Sequence, residues 1–183
     1  MESPKIEEKQ TYEKGVSVCL TAYKAQKYLQ ETLDSIYGQT WFQTHDNWEV
    51  LIGIDACQET LDYVKTIMNN YKNLRVFMMD SNEGTYVTTN TIMSQAKYDG
   101  LIRFDSDDIM LPDMVENIMK KRGDYDIVRF KMQNFGKNTI INIACGQIYM
   151  KHEIFDEFGG YQPWKCNADS EMEKRVHRFV KRS

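Results

Sequence analysis

The chain has 183 residues, of which 42% are hydrophobic and 27% are charged, and its formal net charge is −4. This length suits one domain with a substantial core, and the composition excludes a disordered or fibrous protein. A net acidic chain without a long basic stripe argues against a nucleic-acid partner. No stretch approaches the roughly 18 apolar residues that a membrane helix requires, so we expect a soluble protein without a transmembrane segment.

The amino-terminal residues and the cysteines indicate where the protein works. Residues 1–14 are dominated by charge and are interpreted as a polar arm, followed by a single domain at 15–183. The four cysteines are widely separated and lack a CxxC spacing, which predicts free thiols, no zinc site and a buried Cys19. We therefore expect a reducing compartment, the cytoplasm, with the protein either free or peripheral at a membrane.

Apolar runs and helical periodicity alternate along the chain. Strands are predicted at 16–21, 48–54, 74–79, 101–104, 126–132 and 140–150. Helices are predicted at 29–37, 61–71 and 85–98, then after Pro112, and from Ala168 onward. This alternation predicts an α/β fold, with a mostly parallel sheet sandwiched between helices.

Polar residues follow three of the predicted strands. Asp55, Asn82 and Asp105 each stand at or just beyond a carboxyl end. Ligands of parallel sheets bind at that edge, so we expect one pocket to collect these residues.

The segment Asp105-Ser106-Asp107-Asp108 is the strongest chemical signal. Side chains two apart on an extended backbone point the same way, so Asp105 and Asp107 should converge. Close carboxylates repel each other unless a cation neutralises them, and hard oxygen ligands favour Mg²⁺ or Mn²⁺, particularly beside a diphosphate. The alternative is an acidic turn that caps the next helix.

Two other interpretations of the acidic segment fail. An EF-hand beginning at Asp105 would place Glu116 correctly, but Ile109 would replace a ligand and Met110 the required glycine. A dehalogenase-type phosphatase carries its acidic pair after the first strand, followed by Thr or Val. Here the acidic pair follows the fourth strand and lacks that residue.

From about residue 16 to 175 the sequence resembles the family 2 glycosyltransferases of the GT-A fold. Residues 16–23 resemble the family's opening strand, which reaches the nucleotide base, and 48–55 resemble the second strand, whose final aspartate contacts uracil or ribose. Asn82-Glu83-Gly84 and Asn90 match an Asn-x-Gly stretch and a later asparagine, and 104–108 matches the DxD segment. Residues 158–161 and 168–171 resemble the acceptor-side glycines and the acidic motif that supplies the base.

The resemblance implies a metal-dependent transfer of a sugar from a nucleotide diphosphate sugar, a UDP-sugar first, to an acceptor hydroxyl with inversion. It implies Mn²⁺ or Mg²⁺ on Asp105 and Asp107, and Asp169 as the catalytic base. The donor-binding residues it implies are Thr21, Tyr23, Asp55, Asn82, Gly84, Asn90, Arg103, Asp105 and Ser106. The acceptor-side residues are Gly159, Gly160, Trp164 and Glu171, for a glycan, lipid-linked or protein acceptor.

Several alternatives stay open at this point. Asp169 could be a helix-starting acid, and Glu171 could pair with Arg175 four residues on instead of contacting the acceptor. Lys24 and Asp55-Ala56-Cys57 depart from the family pattern, so recognition of the base is expected to differ in detail. A nucleotide-sugar-binding module without catalysis, within a larger protein or complex, is the rival function. A nucleotidyltransferase is a weaker rival because no glycine-rich basic loop is present. The chain is either a minimal enzyme or the catalytic part of a longer protein.

Overall fold

The computed structural model describes residues 10–134, 139–141, 146–177 and 179. Within them the strands are β1 (Val16–Ala22), β2 (Trp48–Ile54), β3 (Leu74–Met78), β4 (Gly100–Asp105), β5 (Ile127–Arg129), β6 (Met132–Asn134), β7 (Thr139–Ile141) and β8 (Ile148–Lys151). The helices are α1 (Leu29–Tyr37), α2 (Gln58–Ile67), α3 (Thr85–Met93), α4 (Met114–Lys121), α5 (His152–Phe158) and α6 (Ala168–Val176). Short 3-10 segments cover Thr40–Gln43 and Met68–Asn70.

Six strands form one sheet in the order β3-β2-β1-β4-β8-β5. The first four run parallel, whereas β8 is antiparallel to both of its neighbours. β6 and β7 form a separate antiparallel pair. The predicted α/β class with a mostly parallel sheet between helices is confirmed.

The central elements match the sequence prediction closely, and the differences lie toward the carboxyl half. The helix predicted at 85–98 ends at Met93, because the chain must turn there before Tyr98 forms a bridge with Glu13. The strand predicted at 126–132 is divided between β5 and the start of β6. The strand predicted at 140–150 is split between β7 and β8, with 142–145 outside the described residues. Helix α5 was not predicted. It has only seven residues and ends at Gly159, whose φ of 71° suits glycine.

Two apolar layers cover the sheet. On one face, β1 residues such as Val18 and Leu20 pack against α1, α2 and α4. On the other face, Cys19 and Leu51 pack with α3, α5 and α6. Cys19 is buried as predicted, and burial raises the pKa of its thiol. Cys19, Cys57 and Cys166 are free thiols, and Cys145 lies outside the described residues.

Gly53 lets α3 approach the sheet closely. A Cβ added at Gly53 would lie 2.6 Å from Cγ2 of Thr88 and 2.9 Å from Cγ2 of Ile92. Any larger residue would therefore push α3 outward. This packing sets the amino-terminal end of α3 beside the carboxyl end of β2, next to the candidate site.

The described part of the amino-terminal arm contacts the domain. The Tyr12 ring stacks on His152 at 3.5 Å between centroids, and its hydroxyl donates to Asp156 at 2.6 Å. Residues 1–9 lie outside the described residues. Among the helices the structure describes, none combines the length and apolar character that a membrane span would require.

Candidate functional site

A cleft of about 250 Å³ opens at the carboxyl ends of β1 and β4. Its lining includes five of the predicted site residues, namely Thr21, Tyr23, Asp105, Ser106 and Asp107. Lys24, Ala25, Tyr28 and Thr85 complete the lining. The structure therefore brings the opening strand and the acidic segment together. Of the three residues predicted to share one pocket, Asp105 lines this cleft, whereas Asp55 and Asn82 do not.

Sheet register explains this convergence. Thr21 is the partner of Asp105 in the parallel β1–β4 ladder, so both strands end at the same level. The Thr21 hydroxyl is hydrogen bonded to that of Thr89, 2.9 Å away, which ties the end of β1 to α3. The Thr32 hydroxyl donates to the carbonyl of Ser106 at 3.0 Å and holds the acidic turn against α1.

The acidic turn is a set of carboxylates that repel one another. Burial raises the pKa of Asp105, and the charges of Asp107 and Asp169 raise it further, whereas Arg103 lowers it. The pKa of Asp108 is raised to about 6, mainly by burial and then by the negative charges of Asp105 and Asp107. Gln147 donates a hydrogen bond to the Asp108 carboxylate. Bringing a cation to the turn would relieve this repulsion.

The turn supplies few protein ligands for a metal ion. No group of three or more His, Cys, Asp or Glu side chains in the described part of the chain is arranged to hold one. Asp105 and Asp107 together offer carboxylate oxygens only. This donor set fits Mg²⁺ or Mn²⁺, which bind through one or two carboxylates and take further oxygens from a substrate diphosphate.

Arg103 is a buried cation between the carboxylates of Asp105 and Asp169. Its Nη2 lies 3.0 Å from Oδ1 of Asp105, and its Nη1 donates to the carbonyl of Gly146. A Cβ added at Gly146 would be 2.1 Å from Nη1 of Arg103 and 3.2 Å from Oδ2 of Asp169. Gly146, with a φ of 87°, therefore fills a space between the two side chains that only glycine fits. Arg103 was predicted to bind the donor, and its contacts here are within the protein.

Asp169 lies in the first turn of α6. Its Oδ1 accepts a hydrogen bond from the Tyr86 hydroxyl at 3.1 Å and from the Ser170 amide at 2.8 Å. The bond from the Ser170 amide agrees with the alternative considered from the sequence, in which Asp169 is an acid that interacts with backbone amides at the start of a helix. Its charge also raises the pKa of Asp105, but Asp169 lines a separate small cavity with Gly146, Tyr161 and Met172 and does not line the cleft.

The predicted acceptor-side loop is fixed by Asn90 and Arg175. The Asn90 side chain donates to the Tyr161 carbonyl at 2.7 Å and accepts from the Tyr161 amide at 2.9 Å. Arg175 donates to the carbonyls of Phe158 and Gly160. Both parts of the Asn90 amide are therefore used within the protein, beside Gly160.

Glu171 pairs with Arg175, which is the second of the two roles considered for it from the sequence. Its two carboxylate oxygens lie 2.8 and 2.9 Å from Nε and Nη2 of Arg175. Trp164 is half exposed and shares a shallow depression with Glu171, Asn167 and Lys174. Gly159 ends α5 nearby and is exposed.

Asp55 lies outside the cleft lining, as do Asn82, Gly84, Asn90 and Arg103 among the predicted donor residues. Asp55 is 3% exposed. Its carboxylate accepts hydrogen bonds from the amides of Glu83 and Gly84 and from the Thr88 hydroxyl. Asn82 is exposed, and its side chain donates to the carbonyl of Asp55 at 3.4 Å.

Sequence reasoning missed several residues that shape the site. Thr85 follows Gly84 directly and begins α3, so its place at the cleft could have been inferred from the Asn-x-Gly segment. Tyr86, Gly146 and Gln147 reach the site through packing between distant segments, and no local signal indicates them.

A family model described as "Glycosyl transferase family 2" matches residues 17–159. TuaG of Bacillus subtilis, named for teichuronic acid biosynthesis, is 29% identical over 105 residues, which are 55% of this chain and 39% of TuaG. A chondroitin synthase of Pasteurella multocida is 32% identical over 107 residues, 58% of this chain and 11% of that protein. The chain spans about two fifths or less of the length of the curated relatives it matches.

Solved structures share the fold. TarS of S. aureus, residues 1–349 in complex with UDP, superposes with a TM-score of 0.80 at 18% identity, over 92% of this chain and 57% of that one. The mannosyltransferase PcManGT from Pyrobaculum calidifontis, in complex with GDP-Man and Mn²⁺, superposes with a TM-score of 0.78 at 19% identity, over 94% of this chain and 55% of that one. At such identities the likeness concerns the fold. The family model covers most of the chain, and the chain belongs to glycosyl transferase family 2.

Proposed function

We propose that this domain transfers a sugar from a nucleotide diphosphate sugar, with a UDP-sugar as donor, to an acceptor hydroxyl. The observation that carries the proposal is the cleft in which Asp105 and Asp107 stand beside the end of β1, within electrostatic reach of Asp169. The complexes of TarS with UDP and with UDP-GlcNAc support a uridine nucleotide as donor.

Asp105 and Asp107 are the residues that would hold Mn²⁺ or Mg²⁺. When bound, such an ion supplies positive charge that stabilises the departing nucleoside diphosphate. The Mn²⁺ complex of PcManGT supports this choice of ion. Thr21 and Tyr23, at the end of β1, are placed to contact the nucleoside, and Thr85 closes the cleft from the amino-terminal end of α3.

Asp169 is the proposed catalytic base. The Tyr86 hydroxyl and the Ser170 amide fix the position of its Oδ1, so the carboxylate is oriented before an acceptor binds. In the proposed reaction Asp169 takes the proton of the acceptor hydroxyl as the oxygen attacks the anomeric carbon. The carbon–oxygen bond to the nucleoside diphosphate breaks in the same step, which inverts the anomeric configuration.

A donor panel tests the proposal. The protein is mixed with Mn²⁺ and, separately, with UDP-, GDP-, CMP- and dTDP-linked sugars, and release of the nucleotide is followed. Slow, Mn²⁺-dependent hydrolysis of a UDP-sugar without acceptor is expected, and EDTA should abolish it. Release from GDP-sugars alone would overturn the choice of UDP, and donor binding without any release or transfer would favour the non-catalytic binding module.

A further inference from the structure

The carboxylate of Asp55 accepts three hydrogen bonds inside the protein. Its Oδ1 accepts hydrogen bonds from the Glu83 amide at 2.9 Å and the Thr88 hydroxyl at 3.2 Å, and its Oδ2 accepts one from the Gly84 amide at 3.1 Å. These donors belong to the turn before α3 and to its first turns. A carboxylate at the end of β2 therefore binds the amino-terminal end of a helix from another part of the chain, where negative charge is stabilising.

The turn that Asp55 binds has a backbone conformation that needs support. Gly84 has a φ of 90° and a ψ of 163°, a region that is essentially restricted to glycine. Two consecutive amides, those of Glu83 and Gly84, both point at the carboxylate. Without that acceptor both amides would lose their partner, and only the bond from the Thr88 amide to the Gly84 carbonyl would still hold the residue among the hydrogen bonds described.

The consequence for the cleft follows from the next residue. Thr85 directly follows Gly84 and lines the cleft together with Asp105, Ser106 and Asp107. Asp55 itself is 3% exposed and is outside that lining. We infer that Asp55 is a positioning residue, which fixes the Glu83–Gly84 turn and thereby Thr85, rather than a residue that contacts the nucleoside. This inference rests on the proposed function only in taking the cleft to be the nucleotide site.

Thr88 offers a way to test the inference without altering the cleft. It is fully buried against Gly53, so a ligand cannot reach it, yet its hydroxyl binds the same Oδ1 as the Glu83 amide. Thr88→Val keeps the shape and removes the hydroxyl, and Asp55→Asn keeps the size and places an amide donor against the backbone amides. Thr91→Val is the matched control, because Thr91 lies on the exposed side of α3 and donates only to the Val87 carbonyl.

The first measurement is hydrogen–deuterium exchange of the ligand-free protein. In Asp55→Asn the amides of residues 83–88 should exchange faster by about tenfold or more, because charge-assisted hydrogen bonds are lost. Thr88→Val should produce a smaller increase in the same segment, and Thr91→Val none. Unchanged exchange at residues 83–88 in Asp55→Asn would overturn the inference.

The second measurement separates positioning from general stability. At a temperature where circular dichroism shows each variant folded, calorimetry with UDP and Mn²⁺ should give weaker binding for Asp55→Asn and, to a smaller extent, for Thr88→Val. A role in stability alone would leave the affinity of the folded variants unchanged, and this result would overturn the inference. Loss of uridine binding in Asp55→Asn together with normal UDP binding in Thr88→Val would also overturn the inference, because that pattern indicates that Asp55 contacts the nucleoside directly.

If the wild-type protein bound no UDP, the proposed function would fail, and the exchange data would still decide whether Asp55 holds the turn.

Discussion

Nη2 of Arg103 lies 3.0 Å from Oδ1 of Asp105, and this ion pair joins the floor of the cleft to the loop that carries Gly146. The side chain of Arg103 is 7% exposed, whereas that of Asp105 is 35% exposed. The guanidinium therefore stands behind the acidic turn, on the side away from solvent. It supplies a permanent positive charge where Asp105 and Asp169 would otherwise repel each other without compensation.

Replacing Arg103 should destabilise the fold strongly. Arg103→Met leaves Asp105 and the Gly146 carbonyl without their partner, and breaking a buried pair in this way typically costs about 3–5 kcal/mol. Because Asp105 is partly solvated, we expect the lower end, about 3 kcal/mol, in urea unfolding. The control is Lys65→Met, since Lys65 forms an exposed pair with Asp62 and should change the free energy of unfolding by less than about 1 kcal/mol. Equal effects of the two variants would contradict the importance of the buried pair.

Glu171 should matter for stability rather than for proton transfer. Its carboxylate binds Arg175, which in turn holds the carbonyls of Phe158 and Gly160. Glu171→Gln weakens a charge-assisted pair, so we expect a loss of about 1 kcal/mol in the free energy of unfolding. Transfer by the folded variant should stay within a few-fold of wild type. A fall as large as that expected for a catalytic base, with stability unchanged, would assign the base to Glu171.

His152 should make the protein less stable at acidic pH. Burial lowers the pKa of this side chain, although the Tyr98 carbonyl and the charges of Asp156, Asp99 and Glu49 oppose the shift. The unfolded chain then binds a proton near pH 6.5 that the folded protein does not, so stability is present above that pH and declines as the pH falls below it.

Thermal unfolding between pH 5 and pH 8 measures this effect. His152→Gln cannot gain a charge in either state, so its melting temperature should fall less between pH 7 and pH 5 than that of the wild type. The variant will also be less stable at every pH, because the Tyr12 ring loses its stacking partner. Only the slope is diagnostic, and identical slopes for the two proteins would show that His152 is not the titrating group.

The sequence predicts the parts of this fold that depend on local pattern. β1 and β2 are mostly apolar runs, and the acidic turn follows directly from β4, so the common level of their carboxyl ends could be inferred. Short elements such as β5 and α5 carry too few residues for a clear periodicity. The place of Asp55 could not be inferred in detail, because its partners, Thr88 among them, come from a helix whose approach depends on Gly53. Likewise, the contact of Tyr86 with Asp169 joins residues 83 positions apart.

Donor binding should require a divalent cation and Asp107. Asp107 is exposed at the cleft and adds negative charge beside Asp105. Without a cation, the diphosphate would approach the carboxylate of Asp107 and that of Asp105, which is paired with Arg103. Calorimetry should show UDP binding to the wild type with Mn²⁺ and much weaker binding with EDTA.

Asp107→Ala in Mn²⁺ should resemble the wild type in EDTA. Asp113→Ala is the control, because Asp113 is an equally exposed acid near the same turn but does not line the cleft. Equal affinity of the wild type with Mn²⁺ and with EDTA would remove the metal from the proposal.

Asp169 provides the test of catalysis itself. An acceptor hydroxyl is a poor nucleophile until its proton is taken in the transition state, and a positioned base typically contributes about 10²–10⁴-fold. Asp169→Asn preserves size and can still accept hydrogen bonds from Tyr86 and from the Ser170 amide. Because the basic oxygen alone is lost, turnover with an acceptor should fall by roughly that factor while UDP affinity changes little.

The matched control for this variant is Glu157→Gln, which neutralises an exposed acid on α5 and should leave turnover unchanged. Tyr86→Phe provides a graded comparison. It removes the hydroxyl that orients Oδ1 but keeps the base, so turnover should fall by less than in Asp169→Asn.

If Asp169→Asn transfers sugar at the wild-type rate, Asp169 is only the acid that starts α6. If instead the variant is inactive but the wild-type product keeps the anomeric configuration of the donor, Asp169 is essential and the single displacement is wrong. Retention would then require another mechanism, because a single displacement from the opposite face inverts the attacked carbon.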